Sequence, residues 1–227
     1  MEIENAAPDR ISKRVACRSH GALLAKEKEF TRLRDLLSSE RCNLPWVKVE
    51  KQHVFDGPNG KETLADLFDG RSQLIVKHFI LGPGWTEGCV GCSFELDHID
   101  AILVHLEHRD VSYVAVSRAP LPEIETFKDR MGWRVKWVSS FGSDFNYDFH
   151  VSFKPDDIAN SKVYYNYAMR SVGSEELSGR SVFTRTQTAM SFTPTHPTDA
   201  AARICSVPIG SSTSCQRAAT RLAPIAT

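Results

Sequence analysis

The chain has 227 residues, of which 41% are hydrophobic, and its 28 basic and 28 acidic side chains give a formal charge of zero. This balance predicts no nucleic-acid partner, and no apolar run approaches the ~18 residues of a membrane span, so we expect no membrane partner. The length suits one sizeable core with tails. The first twenty residues lack the apolar segment of a signal peptide, and we expect a cytoplasmic protein.

The first forty residues divide into two parts. Residues 1–19 are polar and without periodicity, and they are predicted to form a flexible N-terminal arm. Residues 20–41 carry leucines and Phe30 at helical spacing among charged side chains. This pattern predicts an amphipathic helix that lies against another surface and ends before Pro45.

Short elements bounded by turn residues follow. They are a strand at 46–50, a hairpin around the turn 56–60, a helical turn at 63–68 and a strand at 73–81. The last is a near-continuous apolar run, broken by Lys77 and His78, which indicates a central strand buried on both faces.

Cys89 and Cys92 enclose two residues between this strand and a segment of helical period. Leu96, Ile99, Leu103 and Leu106 recur at steps that place them on one stripe with Cys92. At a helix N-terminus the unpaired N–H groups and the helix dipole stabilise a thiolate, as a dithiol redox site requires. We therefore predict Cys89 as the exposed attacking thiolate and Cys92 as the more buried resolving thiol.

Two other interpretations of this cysteine pair are half of a zinc site and two structural thiols. Zinc usually takes four ligands, and the sequence has no second Cys-x-x-Cys motif. His98 lies about two helical turns below the cysteines, too far for a shared metal. We predict neither a metal nor an organic cofactor. We interpret the flanking Glu87 and Glu95 as solvated acids that favour the helix dipole, with relay of the second proton near the thiols as the alternative.

The remaining elements complete an α/β pattern. A strand at 111–116, a helix at 122–131 and a strand at 134–139 follow, with a further strand at 181–184. This alternation predicts a parallel sheet with right-handed crossovers.

Five stretches, residues 23–35, 44–79, 88–94, 115–133 and 138–153, resemble a bacterial family of thioredoxin-like proteins of unknown function that is often labelled dithiol-disulfide oxidoreductase. The resemblance implies a thioredoxin-like three-layer fold over residues 20–185, close to that of the peroxiredoxins, with a redox-active disulfide. Thioredoxins usually place a cis-proline beside the thiols. The segment 177–181 has no proline, which puts thioredoxin-like substrate docking in doubt.

The resemblance also suggests substrate-binding residues. Trp85 is placed to form the apolar platform that such proteins often have over the disulfide, with ordinary loop packing as the alternative. Asp144, Asn146 and Tyr147 occupy the place where related folds approach the active site. They are predicted to face the substrate or, alternatively, to satisfy backbone groups in a turn.

The tail at 186–227 departs from the family pattern. It is rich in Thr, Ser, Ala and Pro, and its composition predicts disorder. Read one nucleotide earlier, its codons permit Asp-Ala-Asp-Gly-Asp-Val-Phe-His-Thr-Tyr-Ser after Arg185, which resembles the family's ending. We therefore predict a frameshift, with a genuine divergent tail as the alternative. The frameshift removes the return strand and closing helix of a hairpin whose first strand is 181–185, and it leaves that strand with an unpaired edge.

The predicted activity is thiol–disulfide exchange on a protein or small-molecule disulfide. A thiol peroxidase of peroxiredoxin-like type, in which peroxide oxidises Cys89 and Cys92 condenses with the sulfenic acid, is the nearest alternative. A non-enzymatic thioredoxin-like module that binds a partner through the helix at 20–41 is the alternative from another class. The oligomeric state does not follow from the sequence.

Overall fold

The computed structural model describes residues 13–45, 47–159, 163–185 and 190–195. By its internal contacts the chain divides into two units, Met1–Leu44 and Pro45–Thr227. The first contains α1 (Lys13–Cys42), a helix of 30 residues that begins inside the predicted arm. Its apolar side chains are exposed, namely Leu23, Leu24, Phe30, Leu33, Leu36 and Leu37. That this apolar face lies against another surface stays a prediction.

The second unit is built on an eight-stranded sheet. The strands in spatial order are β1 (Val47–Lys48), β10 (Met190–Thr195), β9 (Gly179–Arg185), β4 (Gln73–His78), β5 (Val111–Ser117), β6 (Lys136–Ser139), β2 (Val54–Gly57) and β3 (Gly60–Thr63). The strands β4, β5 and β6 are parallel, whereas every other pairing is antiparallel. The sheet is therefore mixed, and the parallel arrangement predicted from the βαβαβ alternation is confirmed for its three central strands.

Two helices cover one face of the sheet. α2 (Val90–Glu107) connects β4 to β5, and α3 (Leu121–Met131) connects β5 to β6. Cys92, Leu96, Ile99 and Leu106 of α2 are buried, as their spacing predicts, in a core shared with Trp137 of the sheet. Apolar residues on a helical stripe bury against the sheet because only that face escapes water.

A second core lies on the opposite face. It contains Leu74 and Val76 of β4, the short 3-10 helix Asp66–Phe68 and Phe145 of α4 (Phe145–Asp148). Helices, sheet and a second covering layer make three layers, so the predicted fold class is confirmed. The parallel pair β4–β5, joined by α2 and flanked by antiparallel β9 and β10, is a thioredoxin-like arrangement.

Several elements of the structure were not predicted from the sequence. They are α4, α5 (Pro155–Ala159), the hairpin of β7 (Val163–Tyr165) and β8 (Ala168–Arg170), and β10. β10 pairs with β9 from Arg180 to Arg185, so the expected unpaired edge is wrong. The rest of the predicted disordered tail, from residue 196 onward, lies outside the described residues. In the part of the chain that the structure describes, no helix is long and apolar enough to cross a membrane.

Candidate redox site

Cys89 lies at the start of α2. It is the N-cap residue, with φ −60° and ψ 125°, and its side chain is half-buried. Its N–H donates to the carbonyl of Ile80 at 3.2 Å, which ties the loop to the residues following β4. Its own carbonyl accepts hydrogen bonds from the N–H and the hydroxyl of Ser93, at 2.9 and 3.1 Å. The thiol therefore stands beside the free N–H groups of the first helical turn.

Cys92 lies one turn further into α2 and is 2% exposed. Its Sγ donates to the hydroxyl of Ser178 at 3.6 Å. Burial raises the pKa of the Cys92 thiol, while the charge of Lys77 and hydrogen bonds from Ile80 and Ser178 act to lower it. The two thiols thus differ in the way that a dithiol site needs, with one accessible and one protected.

A buried ionic network adjoins Cys92. Lys77, which is 3% exposed, donates to the Ser178 hydroxyl at 2.6 Å and contacts a carboxylate oxygen of Glu95 at 2.8 Å. Arg180 donates to both oxygens of the same carboxylate, each at 2.6 Å, and the Tyr113 hydroxyl donates to it at 3.0 Å. One buried acid therefore joins two basic side chains from neighbouring strands.

The pKa values follow from these contacts. Burial acts to raise the pKa of Glu95, but Lys77 and Arg180 together hold it below its usual range. Burial, followed by the Glu95 charge, raises the pKa of Tyr113 well above its ordinary value. Glu95 is therefore ionised at neutral pH and hydrogen-bonded to a neutral phenol.

The expectation that Glu95 is a solvated acid is wrong. Its side chain is 15% exposed because Lys77 and Arg180, which face each other in the β4–β9 register, both need a buried counter-ion. Glu87, by contrast, is exposed and forms a bidentate pair with Arg130 at 2.8 and 2.7 Å. An ion pair in water of this kind contributes little to stability.

Trp85 lies in the loop before α2 and is 41% exposed. Its backbone N–H donates to the Gly82 carbonyl at 3.2 Å. Its indole ring lies so close to Gly82 that a Cβ on that residue would be 3.0 Å from the ring. The contacts described for Trp85 are those of loop packing. Its predicted role as a platform over the disulfide stays a prediction.

The predicted substrate-facing residues lie around α4, with Asp144 as its N-cap and Asn146 and Tyr147 inside it. Phe145 of the same helix belongs to the core on the face of the sheet opposite Cys92. Asn146 is buried, its side-chain oxygen accepts from the Ser140 hydroxyl at 3.0 Å, and its carbonyl accepts two backbone N–H groups. These bonds are those of a turn-forming residue.

The other two residues of the predicted set, Asp144 and Tyr147, contact cationic side chains. Asp144 contacts Lys51 at 3.1 Å, and the Tyr147 ring lies 4.9 Å from the Arg118 guanidinium, which also contacts its hydroxyl. Tyr147 lines a small pocket of about 210 Å³. The structure groups these residues with one another rather than with Cys92, and their part in substrate binding stays a prediction.

Sequence reasoning missed Lys77, Ser178 and Arg180 as members of this site. Lys77 alone gave a signal, because a charged residue inside a strand buried on both faces requires a partner. Ser178 belongs to the segment singled out for its missing proline, and the structure places it between Cys92 and Lys77.

Residues 9–200 match the family described as a bacterial protein of unknown function (DUF899). The chain belongs to this family. The resemblance drawn from the sequence is confirmed. The match extends past Arg185, where the sequence predicted that the family pattern ends, and the domain boundary itself stays a prediction. Among curated proteins, none matches the chain.

Solved structures of similar fold include PrxQ of Xylella fastidiosa, with 15% identity, a TM-score of 0.44, and 67% of this chain and 84% of that chain covered. A thiol:disulfide interchange protein DsbE of Chlorobium tepidum has 11% identity, a TM-score of 0.44, and coverage of 72% and 95%. The bacterioferritin comigratory protein of Xanthomonas campestris has 14% identity, a TM-score of 0.43, and coverage of 66% and 86%. These similarities concern the fold alone.

Proposed function

We propose that the protein catalyses thiol–disulfide exchange on a protein or small-molecule disulfide, with Cys89 attacking and Cys92 resolving. The asymmetry of the two thiols carries this proposal. Cys89 is half-buried at a helix N-terminus, while Cys92 is 2% exposed and bonded to a hydroxyl that Lys77 also contacts.

In the first step the Cys89 thiolate attacks one sulfur of the disulfide substrate. A bond forms between Cys89 and that sulfur, the substrate disulfide breaks, and one thiolate leaves with its electron pair. The N–H groups at the start of α2 favour the negative charge on Cys89 before the attack.

In the second step the Cys92 thiolate attacks the Cys89 sulfur. An internal disulfide forms, the second substrate thiolate leaves, and the proton lost from Cys92 passes to solvent or to the leaving sulfur. The Ser178 hydroxyl accepts from Cys92 while that thiol is protonated, and it rotates to donate once the thiolate forms. Because Lys77 bonds the same oxygen, its charge supports the thiolate through this hydroxyl.

A trapping experiment tests the proposal. The chain has six cysteines, so we would replace Cys17, Cys42, Cys205 and Cys215 with serine and then compare Cys89→Ser with Cys92→Ser. With glutathione disulfide, Cys92→Ser is expected to accumulate a mixed disulfide at Cys89, because the resolving thiol is missing. Intact-protein mass spectrometry detects the adduct. Equal adduct formation by Cys89→Ser would overturn the assignment of roles.

Two further arms separate the alternatives. Peroxide consumption driven by a thiol reductant, at a rate above that of disulfide exchange, would favour a thiol peroxidase. Unchanged cellular function of the Cys89→Ser, Cys92→Ser double variant would favour a non-enzymatic binding module.

A further inference from the structure

A pocket of about 290 Å³ lies at the start of β9, beside the β7–β8 hairpin. Asp148, His150 and Arg180 contribute to its lining. The rest of the lining includes four phenyl or phenol rings, two serine hydroxyls and a buried imidazole. These residues are Phe149, Tyr164, Tyr165, Tyr167, Ser178, Ser181 and His78. Ligand sites are typically concave and mostly apolar, with a few polar groups that fix orientation.

The backbone around this pocket is strained. The β7–β8 turn has φ of 55° at Asn166 and 61° at Tyr167, and His150, which also lines the pocket, has φ of 53°. Two-residue turns with positive φ at both positions favour glycine at the second. A tyrosine there costs about 1–2 kcal/mol. Such strain often marks functional sites.

His78 lines the pocket and has one buried ring nitrogen without a partner. The ring is 1% exposed, its Nε2 lies 2.9 Å from the Ser181 hydroxyl, and its Nδ1 has no hydrogen-bond partner within the described residues. Burial lowers the pKa of His78 to about 3, so the ring is neutral at physiological pH. Since Nδ1 is closed to solvent, the polar groups that the pocket offers to a ligand are its hydroxyls rather than this nitrogen.

The pocket shares a wall with the buried thiol. Ser178 lines the pocket, and its hydroxyl accepts from Cys92 Sγ at 3.6 Å. The Tyr165 hydroxyl donates to the Ser178 carbonyl at 2.7 Å, and the Cys92 charge contributes, after burial, to raising the pKa of Tyr165. A group seated in the pocket is therefore separated from Cys92 by one residue, Ser178.

We propose that this pocket binds the aromatic part of a small-molecule disulfide that Cys89 and Cys92 reduce, a substrate with one planar ring and a hydrogen-bonding substituent. The assignment rests on the proposed function. Offset and edge-to-face contacts with the surrounding rings favour a planar aromatic group. The volume, near the lower limit of ligand pockets at ~300 Å³, excludes a helix or a folded protein loop.

The electrons balance in this reaction. The Cys89 thiolate attacks the aryl disulfide and one aryl thiolate leaves. Cys92 then attacks Cys89 and the second aryl thiolate leaves. Two cysteine sulfurs are oxidised to a disulfide, and the two substrate sulfurs are reduced to thiols.

The first test uses the reduced full-length chain with Cys17, Cys42, Cys205 and Cys215 replaced by serine. It compares two oxidants, the aryl disulfide 4,4′-dithiodipyridine and the alkyl bis(2-hydroxyethyl) disulfide. Tyr164→Ala is expected to slow oxidation by the aryl disulfide about tenfold. Oxidation by the alkyl disulfide is expected to stay within about twofold, because that substrate gains little from ring contacts. Phe141→Ala, an exposed ring that does not line this pocket, serves as the control.

Tyr167→Gly adds a readout that a merely structural residue would not give. This substitution is expected to slow oxidation by the aryl disulfide but not by the alkyl disulfide. It is also expected to raise the midpoint of urea unfolding, because glycine adopts the positive φ of this turn without strain. The proposal would be overturned if the pocket variants slowed oxidation by the two disulfides equally, or if they slowed neither oxidation.

A second measurement separates this proposal from the proposed function. Binding of 4-methylphenol, which cannot exchange, is followed by ligand-observed NMR on the Cys89→Ser, Cys92→Ser double variant. Binding that Tyr167→Gly abolishes supports the pocket. If disulfides are exchanged but 4-methylphenol does not bind, the pocket assignment fails and the proposed function stands. If 4-methylphenol binds but the unmodified dithiol exchanges with no disulfide, the proposed function and the substrate assignment both fail.

Discussion

Replacement of Lys77 by methionine is expected to slow the resolving step and to destabilise the fold by about 3 kcal/mol. Lys77 is 3% exposed and contacts Glu95 at 2.8 Å. Removing one partner of a buried ion pair leaves a charge without compensation, which typically costs ~3–5 kcal/mol. We expect the low end of that range because Arg180 continues to hold Glu95.

The same substitution is expected to raise the pKa of Cys92. Burial already raises this pKa, and the Lys77 charge is the largest effect that opposes burial. The resolving rate follows the thiolate fraction, so it rises with pH up to the thiol pKa. In Lys77→Met that rise therefore moves to higher pH. Stopped-flow release of the second thiol from the mixed disulfide, followed across pH, gives the profile.

Lys61→Met is the matched control, since Lys61 pairs with Asp56 at 2.6 Å but its side chain is 70% exposed. It is expected to change the free energy of unfolding by less than about 1 kcal/mol and to leave the pH profile unchanged. A profile of Lys77→Met that coincides with that of the parent protein would show that Lys77 does not act on Cys92.

Glu95→Gln is expected to destabilise the fold by about 4 kcal/mol and to lower the pKa of Cys92. The glutamine still accepts a hydrogen bond from Tyr113, but Lys77 and Arg180 lose the negative charge between them. Two buried cations then repel each other, and a nearby thiolate becomes the remaining anion that they can stabilise.

The two substitutions therefore shift stability in the same direction and the Cys92 pKa in opposite directions. Urea unfolding measures the first quantity. The second is read from the thiolate ultraviolet absorbance as a function of pH, in a background where Cys92 is the sole cysteine. Glu87→Gln, which removes an exposed acid paired with Arg130, is the control. Movement of the Cys92 pKa in the same direction in both variants would contradict the electrostatic account.

Much of the central sheet follows from local sequence patterns. The apolar run ending near His78, the helical stripe from Cys92 to Leu106 and the following β-α-β unit lie close to their predicted positions. Short-range periodicity determines these elements because each buries one continuous apolar face. The spacing of Cys89 and Cys92 likewise places both on one turn.

The ionic network was not predictable from local patterns. Lys77 and Arg180 lie on strands far apart in sequence, and they face each other only through the β4–β9 register. Glu95 is one turn beyond Cys92, and its sequence context matches that of any exposed helical acid. Only the presence of a lysine in a doubly buried strand indicated that such a partner exists.

The pocket was missed for a different reason. Each strand of the hairpin that borders the pocket has only three residues. Its turn, Asn166–Tyr167, lacks the glycine by which such turns are usually recognised in a sequence. β10 was missed because its Thr- and Ser-rich surroundings resemble a disordered tail, although threonine itself favours strands.

The reduction potential of the Cys89–Cys92 pair tests the central claim most directly. It is measured by thiol trapping in glutathione buffers, on this chain and on the chain restored to the predicted reading frame. We expect one two-electron transition between about −120 and −270 mV, the range of catalytic dithiols. A folded protein that forms no internal disulfide at any glutathione poise would contradict the redox account.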